Sequence, residues 1–357
     1  MLLESLNSQF LQRQDCIEAL EAGLISGHNV LLIGPAGSAK SALCRAAAAT
    51  VGAKYFEIAL APTTTPEEVF GPPDIEALTQ RGEWRRKIDH YAPSAEIAFF
   101  DEFFRGSPAI RDTLLSMLGE ERLCYIDGLP VRVPLLYGIG ATNFLDDSPE
   151  QAAILDRWCL RVEVNYVSPN QWESLLFGQN GGCPVGKCSV PEVLALRDKA
   201  KAMPFEADAK QAVLDILNKL MTEHGVQVSD RRKKWSVAVA RAMAASSGHD
   251  SVMLRDLAIL RHVYWTAPAQ RAVVNDVVMG VACPGRLACQ KLMAEIYEAY
   301  AEFSGQRSIG SAVAALAKFK EIAEQVNKYD KEDVAEAREA LKAAADECRK
   351  FVTGGIA

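Results

Sequence analysis

The densest chemistry in the chain lies in eight consecutive residues, Gly34-Pro35-Ala36-Gly37-Ser38-Ala39-Lys40-Ser41. A short apolar run, Val30 to Ile33, precedes them, and Ala42-Leu43-Cys44-Arg45-Ala46 follows as a helical stretch. A strand, a glycine-containing turn and a helix that opens on Lys-Ser form the context of a phosphate-binding loop. There the backbone N–H groups and the first helical turn converge on one anion. In such a loop Lys40 reaches the β- and γ-phosphates and the Ser41 hydroxyl ligates Mg²⁺. Glycine is usual directly before the lysine, and here the residue is Ala39. An L-residue restricts φ, so the turn must be one that alanine can adopt.

A second cluster sits downstream. Asp101-Glu102 closes the apolar run Ile97-Ala98-Phe99-Phe100. At the end of a buried strand, Asp101 suits a water-mediated hold on Mg²⁺, and Glu102 suits polarising the water that attacks a γ-phosphate. Asn143, in Ala141-Thr142-Asn143, ends the next strand and is placed to orient that water. Arg157, in Ile154-Leu155-Asp156-Arg157-Trp158, lies too far along the fold to reach its own nucleotide easily. It reads as an arginine finger offered to a neighbouring subunit. The plainer alternative is a surface ion pair with Asp156 or Glu163. Arg161 is a second finger candidate. Arg231, in Ser229-Asp230-Arg231-Arg232-Lys233-Lys234, could close onto the γ-phosphate as a sensor, and the sequence does not separate it from Arg232 or from a solvated basic face.

The elements that must carry these residues follow from apolar periodicity. Leu6 to Ile25 repeats at helical spacing and stops at Gly27. Strands are expected at 29–33, 55–60, 97–100, 135–142 and 159–164, alternating with helices, which predicts a parallel, doubly wound sheet. The Gly- and Pro-rich segment 168–190 reads as a linker. Beyond it the chain is helical: an apolar face of Val213, Leu214, Leu217, Leu220 and Met221, a helix capped by Asp230, another over 254–265, and three in the tail, the last capped by Asp330. The expected organisation is therefore a nucleotide-binding α/β domain over 1–167, a linker over 168–190, a helical lid over 191–284 and a three-helix extension over 285–357.

Composition narrows the function. The net charge of −7 argues against general nucleic-acid binding, although Arg81-Gly82-Glu83-Trp84-Arg85-Arg86-Lys87 forms one local basic stretch. No apolar run has the ~20 residues of a membrane span, and no signal peptide is apparent at Met1-Leu2-Leu3-Glu4. Nine cysteines at irregular spacing suit reduced thiols and a cytoplasmic location. Cys183/Cys188 and Cys283/Cys289 lack zinc-site spacing, so the expected cofactors are ATP or ADP with Mg²⁺.

The order of motifs resembles the MoxR branch of AAA+ ATPases, and within it the RavA-like subgroup. The matching pieces are GPAGSAKS (34–41), TTPEEVFGPPDIEAL (64–78), EIAFFDEFFRGSPAIRDTLL (96–115), ATN (141–143), ILDRW (154–158) and SDRRKK (229–234), within a likeness that covers about residues 5–265. In this branch alanine before the P-loop lysine is common. The resemblance implies a P-loop AAA+ domain with a five-stranded parallel sheet, a helical lid and a helical C-terminal extension. It also implies assembly into a ring, usually a hexamer, with nucleotide between subunits and Arg157 acting on the neighbour's ATP. Segment 61–95 would be the branch's insertion, a hairpin facing the pore. Members are thought to remodel proteins in a chaperone-like way, often with a von Willebrand A-domain protein. The small β-rich insert of RavA-like extensions has no room near Gly305–Ser308. A DNA-associated motor and a nucleotide-gated scaffold with little turnover are the rival readings.

Overall fold

The structure, a computed structural model, describes residues 3–126, 129–145, 151, 154–178, 188–329 and 333–354. It forms two compact units, Met1–Asn275 and Asp276–Ala357.

In the first unit, α1 (Gln14–Ser26) leads into β1 (Val30–Ile33), and the phosphate loop joins β1 to α2 (Lys40–Val51). Next come β2 (Tyr55–Ala59), the short helices α3 (Pro66–Phe70) and α4 (Ile75–Arg81), β3 (Ile97–Asp101), α5 (Pro108–Met117), the hairpin β4 (Leu123–Ile126) and β5 (Leu129–Arg132), β6 (Tyr137–Thr142) and β7 (Leu160–Glu163). Five strands form one parallel sheet in the order β2-β3-β6-β1-β7. The central strands β1, β3 and β6 are buried along nearly their whole length, which their unbroken apolar sequences require of a sheet covered on both faces. Because all five strands run the same way, Ile33, Ala59, Asp101, Thr142 and Glu163 share the carboxyl edge. Crevices outside that edge are where α/β sheets bind ligands.

Some expectations are corrected. Segment 61–95, expected as a hairpin, is built mainly of short helices. It contains α3 and α4 with one isolated antiparallel bridge, Pro73 to Arg86, because Thr65 with Glu68 and Asp74 with Ala77 cap short helices there. The antiparallel hairpin is β4–β5, which the sequence reading missed. Part of the supposed linker is the short helix α6 (Trp172–Phe177), while the glycine-rich stretch 179–187, with Cys183, lies outside the described residues.

The lid comprises α7 (Val190–Ala202), α8 (Ala207–His224), α9 (Asp230–Ser246) and a 3₁₀ segment over Leu254–His262. Ser229, not Asp230, caps α9, accepting from the Arg232 N–H, and Asp230 instead pairs with Lys233. On α8 the buried face is Ala209, Ala212, Ile216 and Leu220, whereas Leu214 and Met221 are exposed. The lid belongs to the same unit as the sheet because α7, α9 and the 3₁₀ segment all pack on α1.

The division between units falls inside α10 (Arg271–Ala282), not at the expected 284/285. The second unit holds α11 (Pro284–Gln306), α12 (Ile309–Val326) and α13 (Ala335–Gly354). Their core includes Leu292, Ile296, Phe303, Phe319, Val326, Val334 and Cys348. Only Arg307 and Ser308 separate α11 from α12, so no β-rich insert interrupts them. Asp330, the expected cap of the last helix, lies outside the described residues. No described helix is long and apolar enough to cross a membrane.

Candidate functional site

The phosphate loop leaves β1 at the carboxyl edge. Gly34 donates its N–H to the Thr142 carbonyl at 3.0 Å, and a Cβ at Gly34 would lie 2.1 Å from the Val164 oxygen, so backbone meets backbone and only glycine fits. Gly37 has φ +78°. Ala39 has φ 65° and ψ 23°, the left-handed region, which costs an alanine roughly 1–2 kcal/mol. The turn is therefore the one glycine would favour, adopted by alanine under strain. Ser38 Oγ donates to the Pro35 carbonyl at 2.8 Å. Pro35, Ala36 and Gly37 complete the turn, and Ala36 and Gly37 are exposed at its tip.

Lys40 begins α2, and Ser41 follows it in the first turn. The Lys40 ammonium is buried and donates to the carbonyls of Gly34 at 2.6 Å and Pro35 at 2.9 Å. Burial lowers its pKa, while the nearby carboxylates of Asp101 and Glu102 work the other way. The lysine, both acids and the loop thus occupy one edge of the sheet.

β3 and β6 are neighbours, so Asp101 and Asn143 emerge side by side. Glu102 takes a left-handed conformation, φ 51° and ψ 42°, and gives its N–H to Asp101 Oδ1 at 3.0 Å. That turn brings its side chain to Asn143, whose Nδ2 donates to Glu102 Oε1. The hydroxyl of Ser41 and the carboxylate of Asp101 are hard oxygen donors of the kind Mg²⁺ takes. No cluster of three or more His, Cys, Asp or Glu suited to a metal occurs among the described residues.

The loop is braced from behind by residues that sequence reasoning missed. Arg13, 5% exposed, donates from Nε and Nη2 to the Ser38 carbonyl at 3.3 and 3.1 Å and from Nη1 to the Gln12 carbonyl at 2.8 Å. Tyr166 Oη donates to the Ala36 carbonyl at 3.0 Å. Gln12 exchanges hydrogen bonds with Ser168, whose N–H it accepts at 2.8 Å. One signal for Arg13 was available. A cation at the amino terminus of α1 opposes the helix dipole, so it needs another reason to be there.

The arginines expected near the phosphates are distributed differently. Arg157 is exposed, with Nη1 3.4 Å from the Leu115 carbonyl. It precedes β7, whose first residue, Leu160, is in register with Val30, the first of β1. Arg157 therefore lies beyond the amino edge, a strand length of about 13 Å from the edge that carries its own phosphate loop. The carboxylates proposed as its partners are engaged elsewhere. Asp156 accepts from Ser229 Oγ at 2.8 Å and pairs with Arg231 at 3.1 Å and Arg232 at 3.2 Å, while Glu163 pairs with Arg271.

Arg231 is a correction, since its link to Asp156 places it beside Arg157 and not over its own Lys40. It is half exposed, whereas Arg232 is buried and donates to the Trp265 carbonyl at 2.9 Å, which separates a surface cation from a structural one. Arg161 is not a finger. It is fully buried, donates to the Val263 carbonyl at 2.8 Å and sits 4.6 Å from the centre of the Trp265 ring. In the basic stretch, Arg81 and Arg85 pair with Glu83, Arg85 also with Asp74, and Arg86 with Glu67, so it presents no uninterrupted positive face.

Comparison with known proteins gives the same architecture. Residues 1–184 match the family model of the MoxR domain in the MoxR-vWA-beta-propeller ternary systems, and residues 208–278 match an AAA lid domain. The chain belongs to the MoxR family of AAA+ proteins. Similar proteins include two uncharacterised proteins of Methanocaldococcus jannaschii. One is 33% identical over 78% of this chain and 73% of its own, the other 34% identical over 74% and 70%. Chaperone MoxR1 of Mycobacterium tuberculosis is 23% identical over 75% and 78%. The solved structure of a candidate ATPase from Cytophaga hutchinsonii aligns with TM-score 0.62 at 17% identity, covering 78% of this chain and 92% of that one, which shows the shared fold.

Proposed function

We propose that this MoxR-family chain is a Mg²⁺-dependent ATPase that works as a ring, usually a hexamer, to remodel or activate a protein partner. The observation that carries the reading is the Glu102–Asn143 hydrogen bond on the sheet edge that also holds Lys40 and Asp101. The loop amides and Lys40 bind the β- and γ-phosphates, and Arg231 no longer belongs to this set. Ser41 and Asp101 would hold Mg²⁺, which supplies charge neutralisation on the phosphates. Glu102, oriented by Asn143, polarises a water whose oxygen attacks the γ-phosphorus as the bond to the ADP oxygen breaks. Arg157, exposed at the opposite edge, stabilises the transition-state charge at a neighbour's site, with Arg231 next to it.

The match to a MoxR domain from systems that include vWA proteins supports a von Willebrand A-domain partner, and the resemblance to Chaperone MoxR1 supports a chaperone-like role. Placement in the RavA-like subgroup rests on the motif order and the three-helix tail. A cytoplasmic location fits the free cysteines.

The deciding measurement is ATP turnover per subunit across protein concentrations, for wild type and Arg157→Ala. Specific activity that rises with concentration and is lost in the variant supports a shared site. Activity indifferent to both rejects it.

A further inference from the structure

We propose that Arg13 is a positioning residue for the phosphate loop, and that it holds the Ser38–Ala39 peptide in the orientation alanine would otherwise abandon. The inference rests on the ATP-binding reading above and concerns how this chain keeps its loop competent without glycine at position 39.

The carbonyl and N–H of a trans peptide point in opposite directions. Arg13 Nε and Nη2 both grip the Ser38 carbonyl from inside the protein, at 3.3 and 3.1 Å. The Ala39 N–H on the other side of that peptide is thereby turned outward, toward the concavity where loop amides collect around an anion. The grip matters because Ala39 stands at φ 65°. Relaxing to the negative φ that an L-residue prefers would rotate this peptide, withdraw the N–H and swing the Ser38 carbonyl toward the phosphates. An oxygen there repels what the N–H attracts.

Arg13 is well fitted to resist the rotation. The residue is 5% exposed, and its guanidinium stays charged and is anchored by a third donor, Nη1, on the Gln12 carbonyl at 2.8 Å. Gln12 is in turn tied to Ser168. The Arg13 backbone also begins α1, its carbonyl accepting the Ile17 N–H at 2.9 Å, so the clamp is seated on a helix and not on a mobile loop. No other described side chain donates to the Ser38 carbonyl.

The test compares Arg13→Met with Arg13→Met/Ala39→Gly in the full chain, measuring the Kd of a fluorescent ATP analogue, KM and kcat, with circular dichroism as a check on folding. Glycine adopts φ near +65° without strain, so it should restore the loop when the clamp is gone. Arg13→Met should weaken nucleotide binding about tenfold and raise KM more than it lowers kcat. Adding Ala39→Gly should recover most of that loss. Equal affinities in the single and double variants would overturn the proposal, since a purely structural arginine gains nothing from a glycine placed at position 39. If Arg13→Met does not fold, Arg13→Gln, which keeps one donor, enters the same comparison with the same two outcomes. If the wild-type chain itself binds no nucleotide, it is the ATP reading that fails, and the two failures are told apart.

Discussion

The Glu102 carboxylate is aimed by its surroundings from both ends. Its backbone N–H is committed to Asp101, which fixes the left-handed turn, and Asn143 donates to its Oε1. A residue held this way is suited to placing a water and contributes little to holding phosphate. Glu102→Gln should therefore bind nucleotide at near wild-type affinity while turnover falls at least ~10²-fold, measured by phosphate release alongside nucleotide titration. Unaltered turnover would reject its role. The residues of this group were legible because each is tied to an element boundary that the sequence marks: Lys40 after a glycine turn, Asp101 and Asn143 after apolar strands. Arg13 and Tyr166 were not, because they act on loop carbonyls through tertiary contacts that leave no spacing to read. Arg231 was misplaced for a related reason. A motif places a cation near the start of a helix but does not say at which edge of the sheet that helix begins.

At the scale of elements, Asp156 joins the lid to the nucleotide domain. It receives Ser229, Arg231 and the buried Arg232 from the start of α9, and Arg232 also bonds the Trp265 carbonyl. Asp156→Asn keeps the shape but leaves the buried guanidinium without its counter-charge. It should cost about 2–3 kcal/mol, read as a lower urea midpoint with an unchanged m-value. The five sheet strands were legible because buried parallel strands are continuous apolar runs. The buried face of α8 was not. Ala209 and Ala212 are buried there while Leu214 and Met221 remain exposed, because close packing favours small side chains and a ranking by hydrophobicity overlooks them. The 61–95 segment was misread because its caps, Thr65 with Glu68 and Asp74, outweigh the turn signals around Gly71 and Gly82.

At the scale of the molecule, α1 and the lid are tied by a buried polar group that responds to acid. Arg261 reaches Asp15 at 3.0 Å and Glu18 at 3.6 Å on α1, and its Nε donates to His262 Nε2 at 3.1 Å. Burial, and then the Arg261 charge, push the His262 pKa down to about 3 from the ordinary 6.5. The unfolded chain therefore takes up this proton before the folded one does. Its contribution is fully present above pH 6.5 and is lost progressively toward pH 3. By pH 5.5 the loss should be about 1.4 kcal/mol. His262→Gln, which keeps an acceptor but cannot titrate, should show a smaller change in urea midpoint between about pH 7.5 and pH 5.5 than wild type. Equal changes would remove His262 from the account.

The parallel sheet has one further consequence. If Arg157 serves a neighbour, each subunit receives at the carboxyl edge and gives at the amino edge, so the contact is head-to-tail. Two unlike surfaces of that kind do not satisfy each other in a two-fold pair. Each added subunit leaves one donor and one acceptor open until a rotation closes the circle. A closed ring is then the smallest state in which every phosphate site is complete, and its subunit number is set by the angle between successive neighbours and not by the chemistry of the site.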